Sequence, residues 1–361
     1  MNKLFPLICS LLCIYNSSGQ SCENLVLITL DGVRWQEVFT GADPGLISDL
    51  KSSQERKDIK SLFKDDDPKQ ARKKLMPWTW STLAGQGQIY GNRQLGNKVD
   101  CTNRYRISYP GYNEILTGYS DPWITSNANK YNPNITILEW FNGHAEFCGK
   151  VVAFASWDAF PYIINDQRSG ITVNAGFSKA EDNYLTSNEL FLNELIDQLP
   201  GPWESTRLDA YTHQYMMEYL EKYHPRLTFI SYGEMDDYAH SGQYGQYLQS
   251  INQTDKRIAD LWNFLECDPF YAGRTALIIT TDHGRGYHRP SDWKNHGILT
   301  RGSGEIWMAF IGPSIPTKGE IKEEMQLFQN QIAKSLAFIL GYQYEPHQEE
   351  AGEIINHIFT N

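Results

Sequence analysis

The chain is short of positive charge: 32 Lys and Arg stand against 43 Asp and Glu, a formal net charge of -11 over 361 residues. A protein made for a nucleic-acid duplex or an anionic membrane carries the opposite excess, so the composition argues against both as main partners. An anionic small substrate stays open, because a bound cation or a helix end can reverse the field inside one pocket. Cysteine is scarce, with six residues and no C-x-x-C pair of the kind that builds a zinc ribbon. Long apolar runs are missing too. The run "LFPLICSLLCIY" falls short of the roughly 20 residues that a spanning helix needs, and nothing later in the chain resembles a membrane span. There is no internal repeat, low-complexity tract or clear interdomain linker.

That first apolar run follows Lys3 and precedes the small, polar "NSSG". The order is that of a secretory leader, so residues 1–19 read as a signal peptide cut between Gly19 and Gln20. The protein is then expected to be exported, periplasmic or secreted. Lipid attachment at Cys22 is the lesser alternative, because Gln20 and Ser21 match a lipid-attachment box poorly. Removal of the leader leaves Cys22, Cys101, Cys148 and Cys267, an even number in an exporting context, and at least one disulfide is expected.

With 41% hydrophobic residues, the mature chain, 20–361, can bury the core of one large domain. Short β-branched runs read as buried strands: 24–30, 150–155, 226–232, 276–281 and 306–312. Between them lie helical patterns, notably 247–265, where Tyr247, Leu248, Ile251, Ile258, Leu261, Trp262 and Leu265 share a face. Such alternation predicts an α/β fold of three layers, α/β/α, around a mixed, largely parallel sheet. The charge-dense segment 51–75 reads as a solvated insertion laced by local ion pairs.

In parallel sheets binding groups gather where strands end. The first strand runs into Asp31, the third into "GEMDDYAH" and the fourth into "DHG". Asp236 and His240 are four apart, so one helical turn points both the same way, able to share a divalent metal. Asp282 and His283 follow a strand directly. His296 in "KNHGIL" is a further candidate ligand and His288 its competitor. In "ISYPGYNEILTGY", Tyr112, Ile115, Leu116 and Tyr119 give one apolar helical face from Pro110 onward. Ser108 would stand just outside the positive end of that helix, as an N-cap or as a nucleophile aimed at an anion.

In chain order, Asp31-Gly, Ser108-x-Pro, Asp236-x-x-x-His240, Asp282-His283-Gly and His296-Gly resemble the alkaline phosphatase superfamily, most closely its nucleotide pyrophosphatase/phosphodiesterase-like branch. The resemblance implies two zinc ions, one surrounded by Asp31, Ser108, Asp282 and His283, the other held by Asp236, His240 and His296. It also implies a phosphodiesterase or pyrophosphatase that attacks a small phosphate ester through a zinc-activated serine and a phosphoseryl intermediate. An asparagine after the nucleophile would bind a phosphoryl oxygen: Asn129 is nearest by offset, with Asn127 its rival. Three departures stand out, Ser108 where the branch often has Thr, and Gly111 and Tyr112 where it has Asn-His. Gly111 would leave room for a second ester substituent, unless Tyr112 walls that room off. The rivals are a phosphomonoesterase, a sulfatase, whose signature wants Arg where Tyr112 stands, and an exported, non-catalytic metal-binding module.

Overall fold

The computed structural model describes residues 22–199, 201–346 and 351–360. The expected leader and its cleavage point lie outside the described residues. The strands are β1 (Asn24–Leu30), β2 (Gln88–Tyr90), β3 (Asn97–Asp100), β4 (Val151–Ala155), β5 (Thr172–Ala175), β6 (Leu227–Tyr232), β7 (Thr275–Thr280), β8 (Glu305–Ile306), β9 (Met308–Ile311), β10 (Gly319–Glu320) and β11 (Met325–Phe328). Eight of them form one sheet in the order β10-β2-β9-β7-β1-β6-β4-β5, and β11-β3-β8 form a smaller one. From β7 to β5 every neighbour is parallel, while β9 runs antiparallel to both β7 and β2. This is the expected mixed, largely parallel sheet.

Both faces of the sheet are covered, as a continuous apolar strand requires. Val26, Ile28 and Leu30 of β1 join one core with Tyr247, Leu248, Ile251, Ile258 and Leu261 of the helix Tyr244–Cys267. Leu25 and Leu27, one residue out of phase, join the other with Tyr112, Ile115 and Leu116 of the helix Ser108–Thr117. Period-2 alternation thus splits one strand between two hydrophobic layers. Each such side chain contributes about 1.5–3 kcal/mol by leaving water. Among the described residues no helix is long and apolar enough to cross a membrane.

Register decides where the chemistry collects. Thr29 of β1 lies opposite Thr280 of β7 on one side and Ser231 of β6 on the other. The three strands therefore end together, and the acid-bearing loops that follow them emerge side by side.

Three expectations are corrected. The run 306–312 is not one strand: Ile306 pairs with Val99 in the small sheet, and Met308 to Ile311 pair with β7. The chain changes sheets at Trp307, whose indole N–H donates to the Val33 carbonyl (3.1 Å). The segment 51–75 is more than a solvated insertion. Its two helices, Ser53–Phe63 and Pro68–Leu75, bury Ile59, Phe63 and Leu75 in the core, and Arg72 pairs with Glu320 of β10 (2.9 Å). Local ion pairs are present as well, such as Lys74 with Asp65 (2.9 Å). Finally, all four described cysteines are free thiols, with Cys22 and Cys101 buried and Cys148 and Cys267 exposed.

Candidate active site

The site begins with the carboxylates at the strand ends. Asp31 follows β1 and is buried; its Oδ2 accepts from the Tyr112 hydroxyl (2.8 Å), which also meets Ser231 Oγ (2.9 Å). Asp282 follows β7, fully buried, and its Oδ1 accepts from the Gly32 backbone N–H (3.1 Å). The second oxygens, Asp31 Oδ1 and Asp282 Oδ2, are buried with no hydrogen-bond partner. His283 Nε2 lies 3.5 Å from the first and 3.3 Å from the second. Ligand atoms of these three residues all lie within 4.8 Å of one another.

A second group meets the same geometric test, Asp236, His240 and His296. The helix Glu234–His240 sets Asp236 and His240 one turn apart, with Asp236 Oδ2 3.1 Å from His240 Nε2. His240 Nε2 in turn is 2.9 Å from His296 Nε2. Of the two competing histidines the fold brings in His296, whereas His288 is exposed outside both groups. The groups touch: the rings of His283 and His296 stack at 3.7 Å.

Backbone carbonyls fix which nitrogen of each ring points inward. His283 Nδ1 meets the Gly284 carbonyl and His296 Nδ1 the Arg106 carbonyl, each at 3.0 Å. A carbonyl only accepts, so Nδ1 carries the proton and Nε2 presents its lone pair to the site. Burial reinforces this state. It drives His283 well below the usual histidine range, helped by His296, and lowers His296 to about 4. Burial also raises the acids, Asp31 well above the carboxylate range and Asp282 to about 8, with neighbouring acids adding to it. Asp236 is the exception. Burial pushes it up, but the Arg285 guanidinium, the His240 bond and His296 outweigh that and hold it well below its ordinary value.

Neutral imidazole lone pairs facing partnerless buried carboxylate oxygens describe a place built for cations. The donors fit zinc: each group offers three nitrogen or oxygen ligands and leaves a position open, the pattern of catalytic rather than structural sites.

Ser108 stands against the first group, its Oγ 3.4 Å from His283 Nε2. It does not lie outside the helix as expected. It is the first helical residue; Ile107 occupies the cap position, and no side chain caps this end. The mouth also has fewer free donors than expected, since Tyr109 N–H is taken by Asn127 Oδ1 (3.0 Å) and Pro110 has none. The same bond distinguishes the asparagines. Both asparagines are exposed, but Asn127 is anchored to the residue after Ser108 with its amide N–H groups left to donate, whereas Asn129 makes no side-chain hydrogen bond among the described residues.

Gly111 does not leave room for a substituent: a Cβ there would come within 2.4 Å of the Asp282 carbonyl oxygen. The glycine instead lets the helix Ser108–Thr117 approach the Asp282 backbone. Tyr112 is no pocket wall either, since it is fully buried beneath Asp31. Sequence reading missed Arg285 altogether. Its guanidinium pairs with Asp236 Oδ1, and it also donates to the carbonyls of Asp236 (3.1 Å) and Lys294 (2.8 Å). The one available signal was its place in "DHGRG", three residues after Asp282.

No family model matches the sequence, and no curated protein matches it. Solved structures do share the fold. Alkaline phosphatase PafA aligns with a TM-score of 0.61 at 11% identity, over 94% of this chain and 99% of that one. A lipoteichoic acid synthase, LtaP from Listeria monocytogenes, aligns at 0.56 and 11%, over 95% and 75%. BT1596, a 2-O GAG sulfatase, aligns at 0.54 and 12%, over 94% and 74%. The resemblance to the alkaline phosphatase superfamily seen in five motifs thus holds for the fold of the whole described chain.

Proposed function

We propose that this chain, alkaline phosphatase-like in fold, is an exported metal-dependent hydrolase of phosphoric esters, a phosphodiesterase or pyrophosphatase acting through Ser108. The observation that carries this reading is the position of Ser108 Oγ, 3.4 Å from His283 Nε2 at the junction of two three-ligand groups. In this reading Asp31, Asp282, His283 and Ser108 hold one zinc, and Asp236, His240 and His296 the other. When bound, the metal pair supplies Lewis acidity that lowers the pKa of the serine hydroxyl and balances the charge of the phosphoryl oxygens.

The chain's own residues do the rest. Ser108 Oγ attacks phosphorus, the alcohol departs, and water then releases the phosphoryl group from the serine. Asn127 donates its amide N–H to a phosphoryl oxygen, oriented by the Tyr109 backbone. Arg285 is engaged by Asp236 and by the carbonyls of Asp236, Trp293 and Lys294. No Lys or Arg side chain is bonded to Ser108 or Asn127 among the described residues, so no cationic side chain is already fixed on the nucleophile or its neighbour to meet the extra charge of a monoester. A diester carries less charge, which is the support for the phosphodiesterase reading.

Metal analysis with a panel of p-nitrophenyl monoesters, diesters and sulfate esters tests it. About two zinc per chain, loss of hydrolysis on chelation and recovery with zinc, and higher kcat/KM for diesters are expected. Full activity after verified metal removal would overturn the mechanism; a large preference for monoesters would overturn the diester assignment alone.

A further inference from the structure

We propose that Arg106 and Arg301 form a second oxyanion subsite beside Ser108, which takes an acidic group carried on the alcohol portion of the substrate. This rests on the hydrolase reading and narrows its substrate to an ester with an additional phosphate, carboxylate or sulfate.

A cavity of about 350 Å3 is lined by Arg93, Asp100, Arg106, Arg301, Gly304 and Glu305. Its two carboxylates are already engaged. Asp100 Oδ1 accepts from Arg93 (2.9 Å) and its Oδ2 from Gln326 (2.8 Å). Glu305 Oε1 accepts from the Tyr287 hydroxyl (3.1 Å), while its Oε2 accepts from Trp35 Nε1 (3.0 Å) and lies 3.3 Å from Arg93 Nε. Arg93 is therefore balanced by two acids. Arg106 and Arg301 have no carboxylate partner among the described residues, and Arg106 Nε is buried without any hydrogen-bond partner. A buried cationic donor left unpaired is costly, and an anion in the cavity removes that cost. With three arginines against two carboxylates, the lining keeps a net positive charge in a chain of net charge -11.

The Arg106 guanidinium takes the place of a missing side chain. A Cβ at Gly304 would sit 2.9 Å from Arg106 Nε, where the guanidinium now lies. Arg106 itself has φ +52°, a conformation in which glycine is cheaper than arginine, so backbone geometry does not account for its side chain.

The cavity backs onto the candidate active site. Arg106 precedes Ser108 by two residues and its carbonyl holds His296 Nδ1 (3.0 Å). Cys101, on the cavity wall, places Sγ 3.5 Å from the Asp282 carbonyl. Gly284 N–H donates to the Ser303 carbonyl (2.9 Å), which ties the metal-ligand loop to the segment that carries Arg301 and Gly304. An anion held here is a neighbour of the ester being cleaved, which favours a group on the same molecule over a free ion.

The test compares two p-nitrophenyl phosphodiesters that differ only in the second alcohol, which carries a carboxylate in one and the corresponding amide in the other. Arg301→Ala removes an exposed side chain, and Arg106→Gly suits the local backbone. The wild type should favour the carboxylate in kcat/KM by about tenfold, the scale of one charge-assisted hydrogen bond. Each variant should lose most of that preference, and Arg301→Ala should leave the amide ester unchanged. A preference that persists in both variants, or an equal fall for both esters, overturns the subsite. Calorimetric titration with tripolyphosphate and orthophosphate decides it apart from turnover. Weakening of tripolyphosphate alone supports the subsite; weakening of neither, or of orthophosphate alone, overturns it. Failure to hydrolyse either ester would count against the hydrolase reading and leave the titration to decide the subsite.

Discussion

The Tyr112 hydroxyl donates to Asp31 Oδ2 at 2.8 Å and so turns the other oxygen of Asp31, which has no partner, toward His283. The hydroxyl also contacts Ser231 at the end of β6, so one side chain from the helix Ser108–Thr117 braces two strand ends. Tyr112→Phe keeps the ring, which packs edge-on against Phe160, and removes only the bond. Zinc affinity, measured by competition with a chelator, should fall about 10- to 100-fold, the usual effect of deleting a group that orients a ligand. Unchanged affinity would show that Asp31 needs no such brace.

Ser108→Ala should lower turnover by about a million-fold, the scale seen when a catalytic nucleophile is deleted. It should change thermal stability little, because Ser108 Oγ caps no helix N–H. A loss near 1 kcal/mol with activity retained would instead be the signature of a cap.

Gly111→Ala places a methyl group within 2.4 Å of the Asp282 carbonyl oxygen. Both partners are buried backbone, so the helix must move away from the loop that carries Asp282 and His283. Urea unfolding should show a loss of about 1–3 kcal/mol. If Gly111 were substrate space, the substitution would leave stability untouched and reduce only the turnover of bulky diesters.

The thiols can be counted directly. In native protein Cys148 and Cys267 should react with a chromogenic disulfide reagent, while Cys22 and Cys101 should react only after denaturation. Burial protects these two and raises their thiols, Cys22 to about 12, so neither supplies thiolate at neutral pH. A native protein with no reactive thiol would restore the disulfide.

His213 supplies a pH dependence away from the metal ligands. It is buried with Nδ1 2.8 Å from the Tyr232 hydroxyl, and burial, with Arg257 adding to it, lowers it from 6.5 to about 3. The folded protein therefore binds this proton less readily than the unfolded chain. The stability is fully present above pH 6.5 and is lost as pH falls toward 3. Between pH 7 and pH 5 this one group should cost roughly 2 kcal/mol. His213→Gln should show a correspondingly shallower loss of urea stability over that range; an identical slope would remove His213 as the cause.

The sequence by itself determined the layering and most of the candidate ligands that the fold brings together. Alternation and apolar runs are local properties, so β1, β4, β6, β7 and the helix Tyr244–Cys267 were legible to within a few residues at their ends. The acids and histidines at strand ends were legible for the same reason, since parallel strands must end on a common edge. What the tertiary structure decided depends on contacts between distant segments. His296 and His288 look alike in sequence, yet only His296 is reached by the Arg106 carbonyl and His240. Asn127 rather than Asn129 meets Tyr109 because a loop turns back on the helix, and no offset from Ser108 encodes that turn. Gly111 looked like open space and proved to be a close backbone approach. Arg285 carried no periodic signal, because its role is to face Asp236 across 49 residues of chain, a pairing set by the fold.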